Sequence, residues 1–351
     1  MLDPGMRPQT LPQLPRPSRA FLLALLLLVG ARLVIGQLSQ RLETVPNGDL
    51  DTFVYYQKEF AYRTGDPPSP RVLLVGSSRI QYLLGKNLAD ALQMPESEVG
   101  SYGFAASNFW TYWQFLQRNP ALLDRCEILM LDCMPGSYFY VPYVQGRTRS
   151  VFTRYADVGL RSTLPTIPLR LEALGDLAFP MWSYRNNPLG WRVFFEQLPM
   201  TPEERVHEYV TTGTLTNSAA RYRPLPKADD ETVKTDLAPK PVPYTPAIAG
   251  VRGILAMAPP ACKIVFWMPP LRSDFAAEAE QRDDFRESFT TFRRDLEALG
   301  DPRVRIVWYN DPGATAFAPS EFKDPDHYIN EVIQTKLAAE AARVIRTQLT
   351  R

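Results

Sequence analysis

The chain has 351 residues, 45% of them hydrophobic, with a net charge of +1 and a sequence pI near 7.7. That apolar content argues against wholesale disorder and leaves room for one large domain or two average ones. Charges of both signs are mixed along the chain, and no basic block is present to neutralise a phosphate backbone, so nucleic-acid binding has no support.

The N-terminus speaks to location. Arg7, Arg16 and Arg19 precede an apolar run from Ala20 to Ala31, which Arg32 interrupts and Leu33-Val34-Ile35-Gly36 resumes. Read to Gly36, the run reaches the lower limit for a membrane span, about 17 residues, and Arg32 can snorkel to the far interface. Stopped at Ala31, it is a signal-peptide core, with Val29-Gly30-Ala31 offering small residues to a peptidase. A buried N-terminal helix is the third reading. The first gives residues 1–19 as a cytoplasmic tail, 20–38 as a transmembrane signal anchor, 39–65 as a juxtamembrane stalk and 66–351 as an extracytoplasmic folded domain.

From residue 71 apolar strands and helices alternate, as in a parallel sheet with crossover helices. Arg71 to Gly76 reads as a first strand and Arg79 to Gln93 as a helix, with Ile80, Leu83, Leu84, Leu88, Ala91 and Leu92 on one side. Glu98 to Tyr102 is a weak second strand, Ser107 to Gln117 an aromatic-rich helix ended by Pro120, and Cys126 to Asp132 a strong third strand. Between about 137 and 250 the rhythm fails. Short helical patterns such as Pro202 to Tyr209 mix with prolines, and Arg223 to Pro246 is a stiff, proline-rich connector. An insertion of this length reads as a lid or a partner surface. Ile248 to Met257 then looks helical, Lys263 to Met268 is a fourth strand, Arg282 to Leu299 a charged amphipathic helix and Val304 to Trp308 a fifth strand. A helix from Asn330 to about Leu349 closes the chain. The expected architecture is a three-layer α/β/α sandwich on a five-stranded parallel sheet, with its site at the strands' carboxyl ends.

Cys126, Cys133 and Cys262 are too few and too irregularly spaced for a zinc site or redox motif, and they read as small core residues. Of the two histidines, His207 reads as a solvated helix residue, whereas His327 follows Asp324 by three positions just before the last helix. A carboxylate so placed can hold the imidazole in the tautomer a serine nucleophile needs; the adjacent Asp326 is less suited. The serine is Ser78, in Gly76-Ser77-Ser78-Arg79 after the first strand. A base near a strand-end serine removes its proton, and a helix N-terminus there would favour a developing oxyanion. Trp110, Tyr112 and Trp113 could stack on sugar rings but at helical spacing read chiefly as core; Tyr138, Tyr140 and Tyr143 could line the cleft.

This set resembles the SGNH hydrolases, or GDSL esterases/lipases, whose first block is Gly-Asp-Ser after strand one and whose last is Asp-x-x-His before the final helix. Gly76-Ser77-Ser78 matches the first block with Ser77 in the aspartate's place, and Asp324…His327 matches the last. Ser101-Tyr102-Gly103-Phe104-Ala105-Ala106-Ser107 is similar to the second block, with Ala106 where an oxyanion-hole glycine stands. The third block, Gly-x-Asn-Asp, has no counterpart in Leu131-Asp132-Cys133-Met134-Pro135-Gly136-Ser137. Its lost donor would cost a factor of about 100 to 1,000 unless Ser137 or the insertion supplies one.

The resemblance covers roughly residues 60–135 and 255–351. It extends to the membrane-anchored envelope acylation subgroup, namely the teichoic acid D-alanyl transfer and alginate O-acetylation proteins. It implies an envelope-exposed serine ester hydrolase or O-acyltransferase, acting on an acylated glycan. Ser78 would be nucleophile, His327 base and Asp324 its orienter, with the Ser78 and Ala106 amides as oxyanion hole. A membrane acyl-donor protein would be a partner, and neither metal nor organic cofactor is called for. Two rivals stand beside it: a catalytically inactive glycan-binding or assembly protein, and a secreted lipase-type esterase.

Overall fold

Strands β1 (Val72–Gly76), β2 (Val99–Gly103) and β3 (Ile128–Asp132) are buried at every position, as a parallel sheet covered on both faces requires. With β4 (Lys263–Trp267) and β5 (Val304–Val307) they form one all-parallel sheet of order β2-β1-β3-β4-β5. The structure, a computed structural model, describes residues 18–42, 69–80, 83–103, 107–139, 241, 245–323 and 327–349.

Alternation along the strands sorts the core into two layers. Leu73, Val75, Leu129, Leu131, Ile264 and Phe266 pack against α3 (Phe109–Arg118), α5 (Thr245–Met257) and α7 (Asp283–Glu297). Val72, Leu74, Ile128, Met130, Val265 and Trp267 face the opposite way. They meet α2 (Gly85–Leu92) and the C-terminal helix α8 (Ala338–Leu349). The three-layer sandwich expected from the sequence is therefore the observed one. Among the described residues the strand and helix order also agrees, apart from two short additional helices, α4 (Pro135–Tyr138) and α6 (Ser273–Ala279).

Two glycines set how closely α5 approaches α3. A Cβ on Gly250 would lie 2.5 Å from the Phe109 carbonyl oxygen, and one on Gly253 would overlap the Trp113 indole. Arg303, just ahead of β5, closes the same layer by donating to the carbonyls of Leu255, Ala258 and Pro259 at the end of α5.

The sequence pattern departs from the structure beyond Ser78. The helix expected from Arg79 is a tight turn, with Ile80 N–H donating to Ser77 and Leu83 N–H to Ile80, and α2 begins only at Gly85. The cause is Arg79. Its side chain is buried and committed to the sheet, which a helical register starting there would not allow.

Helix α1 (Arg19–Leu42) carries ten of the twelve exposed large hydrophobic residues, from Phe21 to Val34. Its side chains are described only as far as Val34, and among the described residues no helix is long and apolar enough to cross a membrane. Helix α1 takes in residues 39–42 of the expected stalk, while most of the tail, the rest of the stalk, His207 and most of the 137–250 insertion, with Tyr140 and Tyr143, lie outside the described residues.

Candidate active site

The sheet order places a topological switch point between β1 and β3, where the chain leaves in opposite directions and a crevice opens at the strand ends. Ser78 lies immediately beyond β1 at that point. His327, 249 positions later in sequence, meets it there: Ser78 Oγ is 2.6 Å from His327 Nε2, and both residues are partly exposed. An imidazole at that distance can accept the hydroxyl proton when Nε2 carries its lone pair.

The turn that carries Ser78 is held by a buried clasp. Asp132, fully buried at the end of β3, accepts from Ser77 N–H (2.9 Å) and Ser77 Oγ (2.5 Å) through one carboxylate oxygen. Its other oxygen accepts from Arg79 Nη2 at 2.5 Å, and the same nitrogen donates to the Cys133 carbonyl at 2.7 Å. One carboxylate thus grips the residues on either side of Ser78. Gly76 is the neighbour of Asp132 across the sheet. A Cβ there would overlap the Asp132 Cβ and lie 2.7 Å from Ile80 Cδ1, so the strand must end in glycine for the clasp to close. The surroundings are dry. Burial, reinforced by the Asp132 charge, pushes the Tyr112 hydroxyl and the Cys133 thiol well above their ordinary pKa ranges.

The base loop is built differently. Lys323 N–H donates to the His327 carbonyl and Ile329 N–H to Glu321, around an antiparallel bridge between Phe322 and Tyr328. Buried Tyr328 stands beside His327 as a plug. Its ring packs on Phe317 and Phe322 at centroid distances of 5.1 and 4.6 Å, and its hydroxyl donates to the Pro270 carbonyl after β4. Glu321 pairs with Lys336, which also lies over the Phe317 ring.

The chain after His327 continues through Asn330–Val332 into a π-helical stretch, Ile333–Leu337, and then α8. The wider π turn frees the Gln334 carbonyl for Asn87 Nδ2 (3.0 Å), while Gln334 Oε1 accepts from Leu84 N–H (3.3 Å). The segments following Ser78 and His327 are joined there.

Ser78 and His327, chosen from sequence alone, are thus brought together. Asp324 and Ala106 lie outside the described residues. Ser137 is buried in α4, and Asn108 is consumed as the N-cap of α3, accepting from Trp110 and Thr111 N–H. Trp110 and Tyr112 are core residues, Trp113 packs on α5, and Tyr138 packs among Phe109, Phe139 and Phe292 rather than facing a cleft. The sequence reading passed over Asp132 and Arg79. Their signal was visible as two opposite charges set directly against apolar strand ends.

Among the described residues, no cluster of three or more His, Cys, Asp or Glu side chains is placed to hold a metal ion. The arrangement offers a partly exposed hydroxyl with a base in contact, on a rigid turn at a sheet switch point. No protein-family model matches the chain, and neither a curated protein nor a solved structure is detectably similar to it.

Proposed function

We propose that this chain is a serine enzyme of the SGNH type that cleaves or transfers an O-acyl group, acetyl in the first instance, on a cell-envelope glycan. The observation that carries the reading is the 2.6 Å contact between Ser78 Oγ and His327 Nε2 beyond the strand ends. Ser78 attacks the acyl carbonyl while His327 takes its proton, and the protonated imidazole returns it to the departing alcohol. Water or a sugar hydroxyl then attacks the acyl-enzyme with His327 again as base. Asp324 orients the imidazole, and the Ser78 and Ala106 amides receive the oxyanion. Helix α1 anchors the domain on the extracytoplasmic side; its crowding of exposed apolar side chains supports that role.

The test is hydrolysis of p-nitrophenyl acetate by the detergent-solubilised chain beside Ser78→Ala and His327→Ala. Each substitution should lower the rate by at least about 1,000-fold with far-ultraviolet circular dichroism unchanged. A Ser78→Ala protein as active as the parent would remove the proposal.

One observation favours a second reading, a glycan-binding protein without turnover. The residues at the end of β3, where the family carries an oxyanion asparagine, are here Asp132 and Cys133, and Arg79 bonds to both, at the Asp132 carboxylate and the Cys133 carbonyl. Labelling by a fluorophosphonate separates the two: only the enzyme gives a Ser78 adduct.

A further inference from the structure

Cys126 and Cys262 occupy equivalent places at the amino ends of adjacent strands, far from the site. Cys126 closes the turn before β3, its N–H donating to Leu123, and Cys262 the turn before β4, its N–H donating to Pro259. Lys263 N–H donates to the Glu127 carbonyl at 2.8 Å and fixes their mutual register. Both side chains are buried, and their sulfurs are 3.8 Å apart, in van der Waals contact. A disulfide needs about 2.05 Å, so each sulfur must move by less than about 1 Å. Cys133 cannot compete, because it sits beyond the opposite end of β3, about 20 Å away at the rise of an extended chain.

We propose that Cys126 and Cys262 are a disulfide site, oxidised during folding by a dithiol–disulfide exchange partner such as an oxidoreductase disulfide or glutathione disulfide. One of the two thiolates attacks one sulfur of the oxidant, forming a mixed disulfide and releasing one thiol. The other thiolate then attacks the protein sulfur of that mixed disulfide, expelling the second. Two thiol protons and two electrons leave the protein, and the oxidant's disulfide is reduced to two thiols. Because both sulfurs are buried, reaction belongs to the folding chain rather than the folded one.

The bond would close a loop between residues 136 positions apart, enclosing the whole 137–250 insertion. Cross-links across loops of that length restrict the unfolded chain most. The inference is independent of the serine chemistry, since thiol status is read without any substrate.

The full chain, reduced and unfolded, is refolded in detergent with a glutathione redox buffer. It is then alkylated under denaturing conditions and mapped by mass spectrometry. The expected result is one Cys126–Cys262 cross-linked peptide, a mass lower by two hydrogens before alkylation, and Cys133 alone alkylated. Alkylation of all three cysteines in protein that has regained its native circular dichroism, or any link through Cys133, overturns the proposal. A Cys126→Ala/Cys262→Ala chain, which removes both sulfurs together, should show no link.

Discussion

The two loops that form the candidate site solve one problem by opposite means. The turn bearing Ser78 is held by charge: a buried carboxylate from the next strand, an arginine and a serine hydroxyl, in a glycine-made gap. The loop bearing His327 is held by area: three aromatic rings packed edge-on and tilted against one another, with one hydroxyl reaching Pro270. An ionic clasp is stiff and fails abruptly, because removing one partner strands the other charge in the interior. An aromatic plug yields by degrees, losing contacts roughly in proportion to the atoms removed. Ser78, the proposed nucleophile, sits on the stiffer mount.

That contrast can be broken from either side. Asp132→Ala should have the largest effect, lowering unfolding free energy by about 3–5 kcal/mol, since it leaves the Arg79 guanidinium buried without its carboxylate. Urea denaturation reads it, and a loss under 1 kcal/mol would show that the clasp is not what holds the turn. Tyr328→Phe keeps the plug and leaves the Pro270 carbonyl without its donor, at about 1–3 kcal/mol by the same measurement. Ser77→Ala removes one hydroxyl bond to Asp132 and should cost about 1 kcal/mol, with a larger fractional fall in kcat than in stability if the turn positions Ser78.

The smallest effect lies outside both loops. Buried Glu340 would have its pKa raised by desolvation, yet it is held below the ordinary carboxylate range by hydrogen bonds from Arg343 and Thr315. Its folded value lies under its unfolded one, so its stabilisation is present above the usual carboxylate pKa and fades as pH falls through the depressed value. Glu340→Gln should flatten that acid limb of the stability profile while leaving the slope near neutrality unchanged.

Much of this fold was legible because β1, β3 and β4 are short runs rich in apolar residues. Val72–Gly76 and Ile128–Asp132 admit no reading except buried strands once Gly and Pro bound them. The Ser78–His327 pairing was legible for a related reason: each residue abuts an element end, and parallel topology gathers such ends on one edge. The clasp was not, because it depends on register. Nothing in the local pattern says that Asp132 stands beside Gly76, and only that adjacency makes Arg79 turn inward and delays α2 to Gly85. The π-helical stretch was missed for want of any distinctive composition: Ile333–Leu337 reads as ordinary amphipathic helix.

That stretch carries a mechanical implication. Gln334 holds the entrance of α2, while Lys336, two residues on, holds Glu321 at the root of the base loop. The widened turn lets one short piece of helix reach two partners that regular winding would present differently. It ties the segment after Ser78 to the loop that carries His327. Deleting a single residue there would restore regular α winding and change which groups face Leu84, Asn87 and Glu321, loosening the link between the two loops with no change to either reacting group.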